Sequence, residues 1–273
     1  MKTAISALDL RRAHSLNEAL DVLRNEERVP LAGATDLYVS LNFGTLDARR
    51  YLDIWSLEEL RSIAMDHDTL TIGSLVTFTQ LIRSPMVQQR LPMLVEASRQ
   101  VGGLQIQNRG TLGGNIANAS PAGDSLPVLL AAEAVIVLKS ARAERRVPCT
   151  AFYTGYRATV KRADELIVAV EIPRIAGRQF FRKVGTRAAQ AISKVVFAGI
   201  TSAGSPRIAV GSVGPTVLRA PETERALGEG ASIEDALHIF DREITPIDDV
   251  RSSASYRRIV AGNLLRRFWA PPL

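Results

Sequence analysis

The sequence predicts an α+β protein in two domains. The chain of 273 residues is near the size, roughly 250 to 300 residues, at which one hydrophobic core stops growing. Apolar periodicity alternates between helical and extended segments, strands dominate the second half, and a breaker cluster, Pro173-Arg174-Ile175-Ala176-Gly177, lies between two extended segments. These observations divide the chain at residues 1–174 and 175–273.

The elements follow in order. Ser15-Leu16-Asn17-Glu18 opens a helix: the Ser15 hydroxyl can accept a first-turn amide, Glu18 can reach back, and Ala19, Leu20, Val22 and Leu23 form the buried stripe. A short strand from Arg28 to Ala32 runs into the turn Gly33-Ala34-Thr35-Asp36, followed by a helical pattern from Leu37 to Leu41. Tyr51 to Ile54 is a strand and Ser56 to Glu59 a small helix. Ile63–Met65 and Leu70–Ile72 form a hairpin across Asp66-His67-Asp68, and helices follow at Thr77–Ile82 and Leu91–Val101. From Gly102 to Asp124, glycines at 102, 103, 110, 113, 114 and 123 predict a long ordered loop of the kind kept for function. Pro127 sits in the first turn of a helix reaching Ala134, and Val135 to Leu138 is a buried strand. The second half predicts strands at Leu166–Ile172, Phe180–Val184, Val195–Ile200 and Arg207–Val213, then helices at Ile233–Phe240 and Ser253–Phe268.

Composition excludes several classes. Hydrophobic residues make up 46% and charged residues 23%, and no apolar run approaches the roughly 20 residues of a membrane span, so the chain reads as ordered and soluble. Met1 to Arg12 shows no secretory signal, which predicts a cytoplasmic protein. The single cysteine, Cys149, rules out an internal disulfide and any iron–sulfur cluster held by this chain's own thiolates, which takes about four. Any such cluster belongs to a partner. The net charge of +6 is spread over scattered arginine pairs, and the 8 Phe, 5 Tyr and 2 Trp do not interleave with them as stacking platforms would. A partner-facing surface, with Arg257, Arg258, Arg266 and Arg267 available for docking, is expected rather than nucleic-acid binding.

The chemistry concentrates in two turns. At Gly113-Gly114-Asn115 bare backbone can approach an anion, where a Cβ would hold it away. Asn115 adds an amide, Thr111 and Ser120 add hydroxyls, and Asp124 can accept from a nucleotide's ribose or adenine. Gly33-Ala34-Thr35-Asp36 forms a second turn with its amides at a helix N-terminus. An isolated glycine pair would mark only a tight turn; two such turns point to a dinucleotide. There is no G-x-x-x-x-G-K-[ST] and no G-x-G-x-x-G, so neither a P-loop nor the doubly wound dinucleotide fold is supported. His14, His67 and His238 lack metal-site spacing, and Cys149, flanked by Pro148 and Thr150, reads as a small buried hydrophobe.

Leu31-Ala32-Gly33-Ala34-Thr35-Asp36-Leu37 and the run from Gln105 to Asp124, with Thr111-Leu112-Gly113-Gly114-Asn115 at its centre, resemble the two FAD-binding motifs of the medium, flavin-carrying subunit of molybdenum hydroxylases. That group includes xanthine dehydrogenase and aerobic carbon monoxide dehydrogenase. The resemblance continues through Asp164-Glu165-Leu166-Ile167, Glu171-Ile172-Pro173, Phe181-Arg182-Lys183 with Arg187, and Ser255-Tyr256-Arg257. Ala34 stands where the family usually has a second glycine, and Gln107 where it often has arginine.

The resemblance implies a vanillyl-alcohol-oxidase-type FAD-binding domain of two α+β subdomains, followed by a smaller sheet-and-helix C-terminal domain. It implies that Leu31, Ala32, Gly33, Ala34, Thr35, Asp36, Leu37, Thr111, Gly113, Gly114 and Asn115 cradle the pyrophosphate. Asn118, Ser120 and Asp124 would surround ribose and adenine, and Ile167 and Lys183 would lie near the flavin end. The implied activity is electron transfer: a molybdopterin large subunit oxidises substrate, an iron–sulfur small subunit relays electrons, and FAD on this chain passes them to NAD, a quinone or another acceptor. The implied assembly is a dimer of heterotrimers. The rivals are a flavin-free basic assembly subunit and a stand-alone flavin oxidase.

Overall fold

The computed structural model describes residues 4–202 and 204–271. Its first lobe is built from β1 (Asp9–Arg12), α1 (Leu16–Asn25), β2 (Val29–Leu31), α2 (Thr35–Phe43) and β3 (Arg50–Asp53). The three strands form a parallel sheet in the order β1-β3-β2. Helix α1 begins where Ser15 Oγ accepts the Glu18 N–H at 3.1 Å. The Glu18 carboxylate, expected to reach back to Ser15, instead accepts from the His14 N–H at 2.8 Å. The buried stripe of α1 packs with Ala13, Leu52 and Ile54 into a small apolar core.

The second lobe contains β4 (Ile63–Met65), β5 (Thr69–Gly73), α3 (Phe78–Arg83), α4 (Pro85–Arg90), α5 (Pro92–Arg99), α6 (Leu104–Arg109), α7 (Leu112–Asn118) and α8 (Leu126–Ala131). It is completed by β6 (Val135–Lys139), β7 (Glu144–Pro148), β8 (Tyr153–Gly155), β9 (Ala158–Thr159) and β10 (Leu166–Pro173). Five of these strands make an antiparallel sheet, β4-β5-β10-β6-β7. The run from Gly102 to Asp124 is not the continuous loop the glycines suggested: it holds α6 and α7. Gly103 and Thr111 stand at their N-caps, and Gly110 ends α6. The glycines punctuate two short helices, each too brief to show a helical period.

The last region comprises β11 (Arg178–Val184), β12 (Val195–Thr201), β13 (Arg207–Gly211), β14 (Leu218–Arg219), α9 (Pro221–Gly228), α10 (Ile233–Glu243) and α11 (Ala254–Trp269). Its strands form an antiparallel sheet in sequence order. The ladders of this sheet are separate from those of β4 to β10, but the apolar core is shared. Along β12, Val196, Ala198 and Ile200 join the core of the second lobe, while Val195 and Phe197 join the core under α10 and α11. A strand buried on both faces reads as a continuous apolar run, which is how it was found in the sequence. β7 and α9 were not anticipated. Arg145 and Arg146 on β7 are engaged by Glu165 and Glu171 of the neighbouring sheet region, so the strand looks polar in isolation.

Of the four arginines expected at a docking face, Arg257 is corrected to the interior, at 4% exposure. Arg258 and Arg266 are tied to Asp241 and Glu234, and Arg267 is exposed. No helix among the described residues is long and apolar enough to cross a membrane.

Phe268 of α11 lies 5.5 Å from the Phe197 ring and 5.9 Å from Phe180, centroid to centroid, and is fully buried. Phe268→Ala should destabilise the chain by about 3–5 kcal/mol. Urea denaturation followed by circular dichroism checks this.

Candidate functional site

A cleft of about 560 Å³ opens beside β2. Val29, Pro30, Ala32, Leu75, Ala117, Leu166 and Ile167 give it an apolar lining. Thr111, Gly113 and Gly114 at the start of α7 also line it, with Arg28, Arg49, Arg50 and Lys161 and two carboxylates, Glu27 and Glu165. Burial pushes the Lys161 ammonium down, against the pull of Glu165 and Asp164. Its Nζ donates to the carbonyls of Arg162 and Glu165 at 2.8 and 3.1 Å.

Two close backbone approaches shape this site. A Cβ built on Gly33 would lie 1.8 Å from the carbonyl oxygen of Arg109, and one on Gly113 would lie 2.7 Å from that of Ser74. No side chain fits at either place. Between β2 and α2, Ala34 is the N-cap at φ 64° and ψ 6°, the left-handed region that glycine adopts freely and alanine at a cost of roughly 1–2 kcal/mol. No side chain caps α2, so its first-turn amides are available to an anion.

The glycine pair does not work as the sequence suggested. The Gly113 N–H donates to the Ser74 carbonyl at 2.9 Å, and the Gly114 N–H to Thr111 Oγ1 at 3.0 Å. Gly113 therefore holds α7 against the end of β5, while a Cβ on Gly114 meets only Thr111 Oγ1, at 2.9 Å. Ser74, which sequence reasoning passed over, lines the cleft with a buried hydroxyl that has no hydrogen-bond partner among the described residues. An orphaned hydroxyl in a largely apolar cleft, with the uncapped start of α2 three residues beyond Ala32 of the lining, fits a dinucleotide.

Of the expected site residues, Ala32, Thr111, Gly113, Gly114 and Ile167 line the cleft. Leu31 belongs to β2, and Thr35, Asp36 and Leu37 to the first turn of α2. Asp36 accepts from Asn118 Nδ2 at 3.3 Å, and Arg157 bridges both, donating to Asn118 Oδ1 and lying 3.6 Å from Asp36. This joins the two motifs through side chains. Asn115 Oδ1 accepts from Ser125 Oγ at 2.7 Å, and Ser120 Oγ from the Ala122 N–H at 3.3 Å.

Asp124 and Lys183 are outside the cleft lining. They form a buried ion pair, with Nζ 2.6 Å from Oδ2, and Lys183 also donates to the Gln100 carbonyl at 3.0 Å. Asp124 Oδ1 is buried without a partner. Burial pushes the Asp124 carboxyl up to about 6, against the pull of the Lys183 ammonium. Ile167, which the sequence reading grouped with Lys183, lines the cleft, and Lys183 does not. The signals missed were Gly73-Ser74 at the end of β5 and the Arg49-Arg50 pair, whose relation to the cleft is tertiary.

A cleft lined by β2 and the start of α7, beside a parallel and an antiparallel sheet, fits a dinucleotide-binding protein outside the doubly wound class. Comparison with known proteins narrows this. Residues 6–175 match the FAD binding domain in molybdopterin dehydrogenase, and residues 179–271 match the CO dehydrogenase flavoprotein C-terminal domain. The chain is 32% identical over 247 residues to the carbon monoxide dehydrogenase medium chain of Hydrogenophaga pseudoflava, covering 87% of this chain and 86% of that one. It is 33% identical over 259 residues to the glyceraldehyde dehydrogenase medium chain of Sulfolobus acidocaldarius, covering 91% and 92%. The solved carbon monoxide dehydrogenase from Hydrogenophaga pseudoflava superposes with a TM-score of 0.88 at 30% identity, covering 95% of each chain. This chain belongs to the FAD-binding medium subunits of the molybdenum hydroxylases. It is an oxidoreductase subunit, and its cofactor is FAD.

The two glycines should separate under mutation. Gly113→Ala should lower the stability of the flavin-free chain by about 1–3 kcal/mol through overpacking against Ser74. Gly114→Ala should leave folding nearly unchanged and weaken FAD binding about tenfold, equivalent to about 1.4 kcal/mol. Thermal melting and fluorescence titration with FAD check the pair.

The Asp124 shift also has a sign. With its folded value raised above the ordinary carboxylate range to about 6, the native state binds the proton more tightly than the unfolded chain, so this group's contribution to stability falls as pH rises from about 4 to 6 and is lowest above that. Melting curves of the flavin-free chain should show this component in the wild type and lose it in Asp124→Asn.

Proposed function

We propose that this chain is the flavin station of a multi-subunit molybdenum hydroxylase, receiving electrons from an iron–sulfur partner and delivering them to NAD, a quinone or another external acceptor. The observation that carries the reading is a largely apolar cleft lined by β2 and the start of α7, with the uncapped α2 beginning three residues beyond Ala32 of its lining, in a chain whose one cysteine, Cys149, is buried. Such a chain can hold a flavin but needs partners for every other redox centre. On this reading residues 1–174 form the FAD-binding domain and 175–273 the C-terminal domain, and the cytoplasm is the compartment.

The apolar walls around Val29, Pro30, Leu75 and Ile167 suit a purine, so we assign the cleft to the adenosine half. The first turn of α2 and Ser74 hold the phosphates. Beyond α7, we assign the Asp124–Lys183 pair to the flavin half, because Asp124 Oδ1 is a buried acceptor with no hydrogen-bond partner among the described residues. This reverses the assignment the sequence resemblance suggested for Ile167 and Asp124. When bound, FAD supplies the exchange between one-electron and two-electron partners. The residues of the chain position it, exclude water from its adenosine half and set the charge around it.

The purified chain should be yellow and release its flavin on acid precipitation, because the attachment is non-covalent. An aldehyde, purine, N-heterocycle or carbon monoxide should reduce that flavin only after iron–sulfur and molybdopterin subunits are added, and added salt should weaken the association. Stopped-flow absorbance checks this. Reduction by substrate in the isolated chain would establish a stand-alone oxidase, and a colourless chain that takes up no FAD would establish an assembly subunit.

A further inference from the structure

Arg257 belongs to the Ser255-Tyr256-Arg257 segment of α11, which the site described above leaves without a role. It is a permanent charge held at 4% exposure. Burying an ion pair is weak support for stability in itself, because well-packed apolar side chains often do as well. What Arg257 touches is more specific. Its NH2 group donates to Asp249 at 2.7 Å, and its NH1 group donates to two carbonyls, Ser212 at 2.7 Å and Lys194 at 3.3 Å.

The two carbonyls lead to the two halves of the Asp124–Lys183 pair. Ser212, in the left-handed region at φ 64°, donates its N–H to the Pro121 carbonyl at 2.8 Å. Its hydroxyl lies 2.9 Å from Ser193 Oγ, which donates to the Ala122 carbonyl at 3.2 Å. Pro121 and Ala122 begin the short loop that ends in Asp124. On the other branch, the Lys194 N–H donates to the Val184 carbonyl at 2.7 Å, one residue from Lys183 on β11. A single guanidinium therefore anchors both the loop carrying the carboxylate and the strand carrying the ammonium.

We propose that Arg257 is a positioning residue of the flavin half of the site: one buried cation fixes the loop bearing Asp124 and the strand bearing Lys183, and so sets the pair that meets the ligand. This rests on the assignment of that pair to the flavin half. A residue serving only the C-terminal core would be indifferent to the Asp124 loop.

The test uses the full-length chain with Arg257→Met, which keeps the stem and removes the donors, Arg257→Lys, which keeps the charge, and Ser193→Ala, which cuts one branch without touching the arginine. Hydrogen exchange of the flavin-depleted chain should quicken about tenfold in peptides covering residues 119–126 in Arg257→Met and Ser193→Ala, while peptides of β6 and β10 stay unchanged. FAD affinity should fall about tenfold in Arg257→Met with a shift of the bound flavin's visible band, and Arg257→Lys should recover most of both. Unchanged exchange at 119–126 in Arg257→Met, or a uniform rise across α10 and α11 with affinity and band unaltered, would overturn the proposal. If Arg257→Met does not fold, Ser193→Ala and Arg257→Lys decide by the same readings. Quickened exchange at 119–126 with wild-type affinity and band in every variant would place the pair outside the flavin half, removing the assignment and Arg257's role in it together. Failure of the wild type to bind FAD would instead remove the reading of the whole site.

Discussion

The carbonyl of Arg109 occupies the space a side chain at residue 33 would need, and the carbonyl of Ser74 the space of one at residue 113. These two approaches of backbone to backbone set the rest of the site. The first brings the β2–α2 turn of the parallel lobe against the end of α6, and the second seats α7 on the end of β5. With both in place, the start of α7 and Ser74 line one cleft with Val29 and Pro30 of β2 and Ala32, three residues before α2 begins. Asp36, Asn118 and Arg157 then tie α2 to α7 at the far end of the helix. Surface ion pairs of this kind contribute little energy but fix direction.

The C-terminal region is joined to this arrangement by shared burial more than by hydrogen bonding between sheets. β12 places alternate residues in two cores, so the sheet it centres cannot shift relative to α5 and α8 without exposing apolar surface in both. That rigidity is what lets charged groups be held in the interior at all. Asp124, Lys183 and Arg257 are each nearly inaccessible, and each is stabilised by carbonyls or a counter-charge supplied from a different part of the chain. Charges held this way have their electrostatics set by packing, with little freedom for solvent to screen them.

Regular elements with strong local signals were legible in the sequence. Ser15, Thr77, Ser232 and Ser253 each cap a helix read from the sequence, and the β4–β5 hairpin and the doubly buried β12 follow directly from period and apolar content. The stretch from Gly102 to Asp124 was legible as functional but not as two helices, because glycine lowers helical propensity and its reason for being there is a neighbour far away in sequence. β7 was hidden by Arg145 and Arg146, whose partners lie on other strands.

The sequence by itself determined that the chain is α+β, has a single cysteine and so no set of thiolates for an iron–sulfur cluster, and has two glycine-bearing turns. These follow from residue types and local spacing, which act over a few residues. The tertiary structure decided which amides of the Gly113-Gly114 turn are already spent, that Ser74 stands in the cleft with a hydroxyl unpaired among the described residues, and that Asp124 forms a buried ion pair with Lys183. It also decided that Arg257 is an interior anchor and not a surface charge. Each of these depends on which carbonyl or side chain arrives from a distant segment, and a charge or an amide has the same appearance in sequence whether water or the protein becomes its partner.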